Sequence, residues 1–273
     1  MMFVRGLRYV LMALAAVAVS GCVQRIEPDW DHPFADGVNM PVMGDYSVVA
    51  VDVKELSGIC LTQDKSALWA VGDGGQLARI AFDGTTEKIK DFRADLEAVT
   101  LDPATGNLYF AVERVQKVWC VAPPDYDEYQ TLFKVCDAAL YLNNGLEGIT
   151  WYKDNALYVG AQHGATLWRC SLDGEVLSRT ELKSVAPAIR EVADLCYDPV
   201  TDCLWVADSE AKVLFVFSGD ASSLLGIYNV DMVGNAESVC VDHANGCVWV
   251  GDDDSRNPAL YRINFLGLDS PLF

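Results

Sequence analysis

The chain has 273 residues, of which 51% are hydrophobic, and a formal net charge of −19 at pH 7. A negative field of this size repels nucleic acids and anionic lipid surfaces and attracts cations, so the composition excludes DNA or RNA binding. The apolar half of the chain is enough for a continuous core, and an unbroken repeat from about residue 46 onwards indicates a single domain.

The N-terminal segment has the pattern of an export signal. Arg5 and Arg8 precede an apolar run of 11 residues, 9–19, which is too short to cross a bilayer as a helix. Val-Ser-Gly-Cys at residues 19–22 resembles the bacterial lipobox. We therefore expect residues 1–21 to be a lipoprotein signal peptide and Cys22 to be the acylated N-terminus, with an ordinary secretory signal and a chance cysteine as the alternative.

Residues 22–44 read as a lipidated N-terminus and tether, since residues 23–44 hold three prolines and show no periodicity. Removing residues 1–21 takes away two arginines and no acid, so the mature chain would carry −21. The expected location is the bacterial cell envelope, facing the periplasm or the cell exterior. Residue 23 is valine and not aspartate, so no inner-membrane retention signal of the enterobacterial kind is visible, and the membrane and leaflet remain open.

Five copies of a two-strand unit follow one another. Taking Ser57, Glu97, Glu147, Ala193 and Glu237 as equivalent points, the intervals are 40, 50, 46 and 44 residues. Each copy begins with an apolar strand and continues with a second strand whose second residue is aromatic, and a repeat of this length built from strands is typical of propeller blades. The recurring aromatic residues are expected to pack between blades, and they are Trp69, Tyr109, Tyr158, Trp205 and Trp249.

The two ends of the repeat predict how the ring closes. The fifth copy ends after residues 259–264 without an outermost strand, and an alternating strand at residues 46–53 stands ahead of the first copy. If that strand joins the last blade, the ring has no open edge. We therefore predict an all-β, five-bladed β-propeller over residues 45–273, with six blades as the alternative.

Nine cysteines in an exported chain suggest disulfides. Two pairs occupy the two arms of a hairpin with the same spacing of seven residues, and a third pair falls on the outer strands of the second copy. Facing positions of antiparallel strands lie close enough for bonding after local adjustment. The alternative is that all are small buried apolar residues. The expected pairs are Cys196 with Cys203, Cys240 with Cys247, and Cys120 with Cys136.

The strand starts Leu-Glu-Gly-Ile (residues 146–149) and Ala-Glu-Ser-Val (residues 236–239), the short hairpins, the aromatic second strands and the lipobox carry a resemblance. They resemble the SdiA-regulated family of bacterial extracytoplasmic β-propeller proteins over about residues 45–265. The resemblance implies the fold and the compartment, and it implies no established reaction.

The functional residues are expected where inner strands begin and second strands end, because the two strands are antiparallel and these ends share one face. Glu97, Glu147 and Glu237 take equivalent positions there, with Asp194 as an accessory ligand beside Ala193. Like charges so close repel unless they are protonated, paired or bridged by a cation, and oxygen ligands around a wide opening suit Ca²⁺. The residues expected around this opening are Asp73, Glu113, Arg114, His163, Glu210 and Asp253.

The sequence leaves several functions open. The leading interpretation is a lipid-anchored propeller whose acidic channel mouth binds a divalent cation, with Ca²⁺ as the candidate, and a small-molecule ligand or partner protein. The membrane would be contacted only through the anchor. Solvated acids or a catalytic acid/base pair are alternatives for the carboxylates. A calcium-dependent phosphoester hydrolase resembling phytase or esterase-like propellers is the competing class, but it needs cations for phosphate, and the sequence places only Arg114 and Arg256 near the opening. A purely structural scaffold is the third.

Overall fold

The computed structural model describes residues 42–135 and 145–266, and these form a ring of five antiparallel sheets with four strands each. The predicted five-bladed β-propeller is confirmed, and the six-bladed alternative is wrong for the described residues. Their helical content consists of two 3-10 turns, Leu182–Ser184 and His243–Asn245. Within these residues, no helix has the length and apolar character needed to cross a membrane.

Each blade takes four strands, which we number in chain order. Blade 1 holds β2 (Leu56–Leu61), β3 (Ala67–Gly72), β4 (Gln76–Ala81) and β5 (Thr86–Asp91); blade 2 holds β6 (Leu96–Leu101), β7 (Leu108–Val112), β8 (Lys117–Val121) and β9 (Tyr129–Lys134). Blade 3 holds β10 (Leu146–Tyr152), β11 (Ala156–Ala161), β12 (Thr166–Ser171) and β13 (Val176–Glu181); blade 4 holds β14 (Asp194–Asp198), β15 (Cys203–Asp208), β16 (Val213–Ser218) and β17 (Leu224–Asn229). Blade 5 holds β18 (Ala236–Asp242), β19 (Cys247–Asp252), β20 (Ala259–Leu266) and β1 (Val42–Ala50).

The ring closes through β1, as the missing fourth strand predicts. β1 runs antiparallel to β20, with Val49 opposite Leu260. The strand begins at Val42 and ends at Ala50, whereas the sequence predicts residues 46–53. Val53 lies beyond the end of the strand and is fully buried in the core shared with blade 1. Pairing the chain ends in one sheet leaves no unpaired edge between the first and last blades.

Aromatic side chains fill the spaces between blades. The five residues at the recurrent second-strand position are only 1–7% exposed, which confirms the predicted packing role. Trp249 of blade 5 stacks on Phe82 of blade 1 at 5.3 Å between ring centroids, and Tyr109 of blade 2 stacks on Trp151 of blade 3 at 5.7 Å. Large rings of this kind bury more area than any other side chains and fix neighbouring sheets against one another.

Side chains also connect the inner strands of neighbouring blades. Thr100 Oγ1 accepts a hydrogen bond from the Trp151 N–H at 2.8 Å, and Thr150 Oγ1 accepts one from the Tyr197 N–H at 2.8 Å. At the same repeat position, Cys196 Sγ accepts from the Val241 N–H at 3.4 Å. These bonds satisfy N–H groups on the free edge of the inner strands, which would otherwise lie buried without partners.

The predicted hairpin disulfides are wrong, because the register of the strands separates the cysteines. Cys203 lies opposite Asp198, and Cys196 lies opposite Trp205. The fifth blade repeats this arrangement, so both pairs are two positions out of register, and all four thiols are free. Cys120 is also free and faces Gln130 on β9, whereas its expected partner Cys136 lies outside the described residues, as does Cys22.

Three of the free thiols come from one repeat position of the inner strands, Cys60, Cys196 and Cys240. Cys240 is hydrogen-bonded to Cys196, and this bond and then burial raise the pKa of the Cys240 thiol well above its usual value. Burial raises the pKa of Cys60 in the same direction. The thiols of Cys60 and Cys240 are therefore protonated at neutral pH and behave as small, weakly polar packing groups.

Candidate functional site

Carboxylates from all five blades gather at the end of the channel where the inner strands begin. The local geometry is the same in each blade: the start of the inner strand pairs with the end of the second, as Leu96 pairs with Val112 and Leu146 with Ala161. The acids at these strand ends therefore face one opening. We call this cluster the acidic mouth, and it comprises Asp73, Asp95, Glu97, Glu113, Glu147, Glu191, Glu237 and Asp253.

The densest part of the acidic mouth lies between blades 1 and 2. One carboxylate oxygen each of Asp73, Asp95 and Glu97 lie within 4.8 Å of one another. Glu97 is also hydrogen-bonded to Glu147 of blade 3, and each of these glutamates is only 8% exposed. Two glutamates predicted from the repeat are thus in direct contact.

Burial dominates the electrostatics of these two glutamates. It raises the pKa of Glu97 to about 11, with further contributions from the charges of Glu147 and Asp73. Burial likewise raises the pKa of Glu147 to about 9, followed by the charges of Glu113 and Glu237. The pair therefore holds at least one proton at neutral pH, since two ionised carboxylates at this distance in a poorly solvated site repel each other.

Carboxylates of blade 1 also lie close enough to blade 5 to raise the pKa of an acid there. Burial, then the charges of Glu191 and Asp253, raise the pKa of Glu237 to about 7. Burial, then Asp73 and Glu55, raise the pKa of Asp253 to about 6. Asp253 Oδ1 is buried without a hydrogen-bond partner. Opposite this group, burial raises the pKa of Asp73 although the Ser57 hydroxyl donates a hydrogen bond to it.

Blade 4 departs from the repeat. Ala193 stands where the other blades carry Glu or Ser, and the acid of this blade at the mouth is Glu191, which accepts hydrogen bonds from the Ser209 hydroxyl and, at 3.0 Å, from the Glu210 N–H. Asp194, expected as an accessory ligand, is fully buried, and its Oδ2 accepts from the Val239 N–H of blade 5 at 3.1 Å. Its carboxylate is also hydrogen-bonded to the backbone N–H of Ile59 in blade 1.

Sequence reasoning missed Asp95 and Glu191 as mouth residues. Both occupy the first position of the repeat motif, two residues before the glutamate position, where blade 1 carries Glu55. That shared position is a signal in the sequence. The repeat spacing was measured at the third residue of the motif, where Ala193 interrupts the acidic pattern, and that spacing does not reveal the first position.

The remaining predicted residues form the rim. Arg114 is largely exposed and its Nε donates to Asp95, whose side chain is only 8% exposed. Glu113 Oε1 accepts from the Gly145 N–H at 3.4 Å, and burial raises the Glu113 pKa. Glu210 and His163 are exposed and line a shallow pocket of about 500 Å³. Lys183 and Arg190 line the same pocket, so more cations adjoin the mouth than the sequence suggested.

The arrangement is suited to binding a hard cation. Carboxylate oxygens are the ligands that Ca²⁺ prefers, and two oxygens bound to one Ca²⁺ at 2.3–2.6 Å are separated by at most about 5 Å. The spacing of Asp73, Asp95 and Glu97 meets that limit. Burial, and after it the repulsion between the carboxylates, favours the protonated form of the central glutamates, and a bound dication would offset both effects.

Comparison with known proteins bears on the fold. By sequence, neither a protein family nor a curated protein matches the chain. By structure, it is similar to glutaminyl cyclase of Myxococcus xanthus, with TM-score 0.61, 12% identity and coverage of 80% of this chain and 94% of that one. It is similar to a PQQ-bound aldose sugar dehydrogenase of Streptomyces coelicolor, with TM-score 0.54, 10% identity and coverage of 81% and 99%. A luciferin-regenerating enzyme gives TM-score 0.54, 13% identity and coverage of 82% and 96%. At such identities the similarity concerns the fold alone, and the proteins' different activities show how many functions this ring supports.

Proposed function

We propose that this protein is a lipid-anchored β-propeller of the bacterial cell envelope, of the SdiA-regulated kind, that binds a divalent cation at the acidic mouth. The cation is Ca²⁺, and a ligand or partner protein binds through it or beside it. The observation that carries the proposal is the set of carboxylate oxygens of Asp73, Asp95 and Glu97 within 4.8 Å of one another, next to the buried Glu147.

The energetics of the site support a cation over simple solvation. Solvated acids keep ordinary pKa values, whereas burial raises the pKa of Glu97 to about 11 and that of Glu147 to about 9. Burying several carboxylates costs free energy unless they are protonated, paired or metal-bound. The Arg114 side chain forms an ion pair with Asp95 of the cluster, and this side chain is mostly exposed.

The first test is thermal unfolding with and without calcium. A ligand that binds only the folded protein at a hundred times its dissociation constant adds about 2.7 kcal/mol, which for a domain of this size corresponds to a rise in Tm of about 5–10 °C. We expect Ca²⁺ to raise the Tm, a chelator to reverse the rise, and the double substitution Glu97→Gln/Glu147→Gln to abolish it.

The matched control is Glu87→Gln/Glu175→Gln, which removes two exposed carboxylates elsewhere on the ring and should leave the calcium response intact. A Tm that is indifferent to calcium, magnesium and chelator alike would contradict the cation site and return the carboxylates to solvated acids.

A calcium-dependent phosphoester hydrolase is the second candidate. Lys183 and Arg190 favour it, because they line a pocket next to Glu210 at the rim and provide the cations that phosphate binding requires. Calcium-dependent release of phosphate from a phosphomonoester would identify this activity, and its absence would leave binding as the function.

A further inference from the structure

The end of the channel opposite the acidic mouth opens into a second cavity. Its volume is about 550 Å³, and residues from the ends of all five inner strands line it. We call it the basal cavity. It shares no lining residue with the acidic mouth, and its volume falls within the range of small-molecule sites in proteins.

The walls of the basal cavity are apolar. One hydrophobic residue comes from the same position of each inner strand, one place after the Thr or Cys that bonds to the next blade. Two of the five are aromatic and belong to neighbouring blades 3 and 4. The five residues are Leu61, Leu101, Trp151, Tyr197 and Val241.

Polar side chains inside the cavity are already engaged, whereas Lys65 is exposed at its rim. Thr100 and Thr150 accept hydrogen bonds from backbone N–H groups, each at 2.8 Å. Lys153 is paired with Asp202 at 3.0 Å, and His243 with Asp198 at 2.5 Å. A ligand with a charged or strongly polar body would have to break these bonds or remain unpaired, and either outcome costs free energy.

We propose that the basal cavity binds an uncharged, largely apolar small molecule with an aromatic ring. The aromatic preference follows from Trp151 and Tyr197. Their rings pack on Tyr109 and Tyr152 and remain half-buried at the cavity wall, where the surface left uncovered can contact a ligand ring. The apolar body follows from the walls, which remain in contact with water when the cavity is empty. This site is independent of the acidic mouth and does not rest on the proposed cation function.

The test uses the uncharged fluorescent probe N-phenyl-1-naphthylamine with the full chain. Probe fluorescence should rise and saturate at one molecule per chain. Leu101→Trp fills the cavity from a half-buried wall position and should weaken probe binding about tenfold or more, because the larger side chain occupies the ligand's volume. Leu177→Trp adds the same side chain at a position 44% exposed on the outer strand β13 and should bind the probe as the wild type does.

A second measurement uses the wild-type protein and therefore does not depend on correct folding of the Leu101→Trp variant. Cys60 and Cys196 line the cavity and are half-buried, so a small maleimide should modify them slowly in the wild type. Bound probe should lower the modification rate of Cys60 and Cys196 at least in proportion to the fraction of sites that it occupies. Cys170, buried in another part of the core, serves as the internal reference.

Three results would overturn the proposal: no saturable probe binding, equal binding by the Leu101→Trp and Leu177→Trp variants, or no protection of Cys60 and Cys196 at saturating probe. Tighter binding of the anionic analogue 1-anilinonaphthalene-8-sulfonate than of the uncharged probe would refute the uncharged class. In that case the exposed Lys65 at the cavity rim would be the source of the preference.

Discussion

Glu97 and Glu147 couple proton binding to the stability of the fold. Their folded-state pKa values, about 11 and about 9, lie above those of exposed glutamates because burial disfavours the charged form. Between the unfolded and folded pKa values the native state holds more protons than the unfolded chain. Stability without a cation must therefore fall as the pH rises through this window.

We accordingly predict that the cation-free protein has a higher Tm at pH 5 than at pH 9. Glu237 and Asp253 contribute at the lower end, with pKa values of about 7 and about 6. The substitution Glu97→Gln/Glu147→Gln mimics the protonated pair and should flatten the fall, because neither side chain can then ionise. Tm measured in chelator across this range checks the prediction, and a Tm that rises towards pH 9 in the wild type would refute it.

The sequence allowed the mouth glutamates to be predicted but not the whole cluster. Glu97, Glu147 and Glu237 recur at one repeat position, so the pseudo-rotation of the ring brings them together. Asp194 is adjacent to that position in sequence, yet successive residues of a strand face opposite sides, and one residue of displacement turns its side chain into the interface with blade 5.

At the scale of the strand, the inter-blade hydrogen bonds make a direct prediction. Thr150 is 5% exposed and its Oγ1 is the acceptor for the Tyr197 N–H at 2.8 Å. Thr150→Val preserves the shape but removes the acceptor, so a buried N–H loses its partner at a cost of about 1–3 kcal/mol. The free energy of unfolding from urea denaturation should fall by that amount.

Thr150→Ser is the matched control, since it keeps the hydroxyl and loses only a methyl group. It should retain more of the free energy of unfolding than Thr150→Val does. Equal losses in the two variants would show that the methyl group, and not the hydrogen bond, matters at this position.

The blade strands could be predicted closely, but the hairpin register could not. The first two strands of blade 2 follow from two apolar runs and from the turn residues between them, such as Asp102 and Gly106. A spacing of seven between Cys196 and Cys203, however, does not reveal how many residues the turn uses. Asp198 decides this by accepting hydrogen bonds from the Thr201 hydroxyl and, at 3.0 Å, from the Val200 N–H. The turn then closes at Asp198 and Cys203, and the cysteines fall out of register.

At the scale of the whole molecule, the proposed anchor gives a prediction about location. If Cys22 is acylated after removal of residues 1–21, the wild-type protein should partition with membranes and detergent. Cys22→Ala should move the protein to the soluble fraction, because the proposal attributes membrane binding to the acyl chains on Cys22 alone. Membrane association of the Cys22→Ala variant would contradict the lipid anchor.

The net charge of −19 acts on the molecule as a whole. A negative field across the ring raises the local concentration of cations at a channel whose mouth is lined with carboxylates. The ring closure by β1 places the end of blade 5 next to blade 1, and the charge of Asp73 in blade 1 acts on Asp253 in blade 5. The fold thus presents a preformed set of oxygen ligands, and a cation would need to displace protons to occupy it.

Calorimetric titration of Ca²⁺ into the metal-free protein tests this displacement most directly. Performed at pH 7 in two buffers with different enthalpies of ionisation, it counts the protons released for each ion bound. We expect saturable binding of Ca²⁺ with release of at least one proton, because the Glu97–Glu147 pair holds a proton in the free protein. Both signals should be lost in Glu97→Gln/Glu147→Gln. Absence of saturable heat, or calcium binding that is unchanged by the double substitution, would contradict a cation site at the acidic mouth.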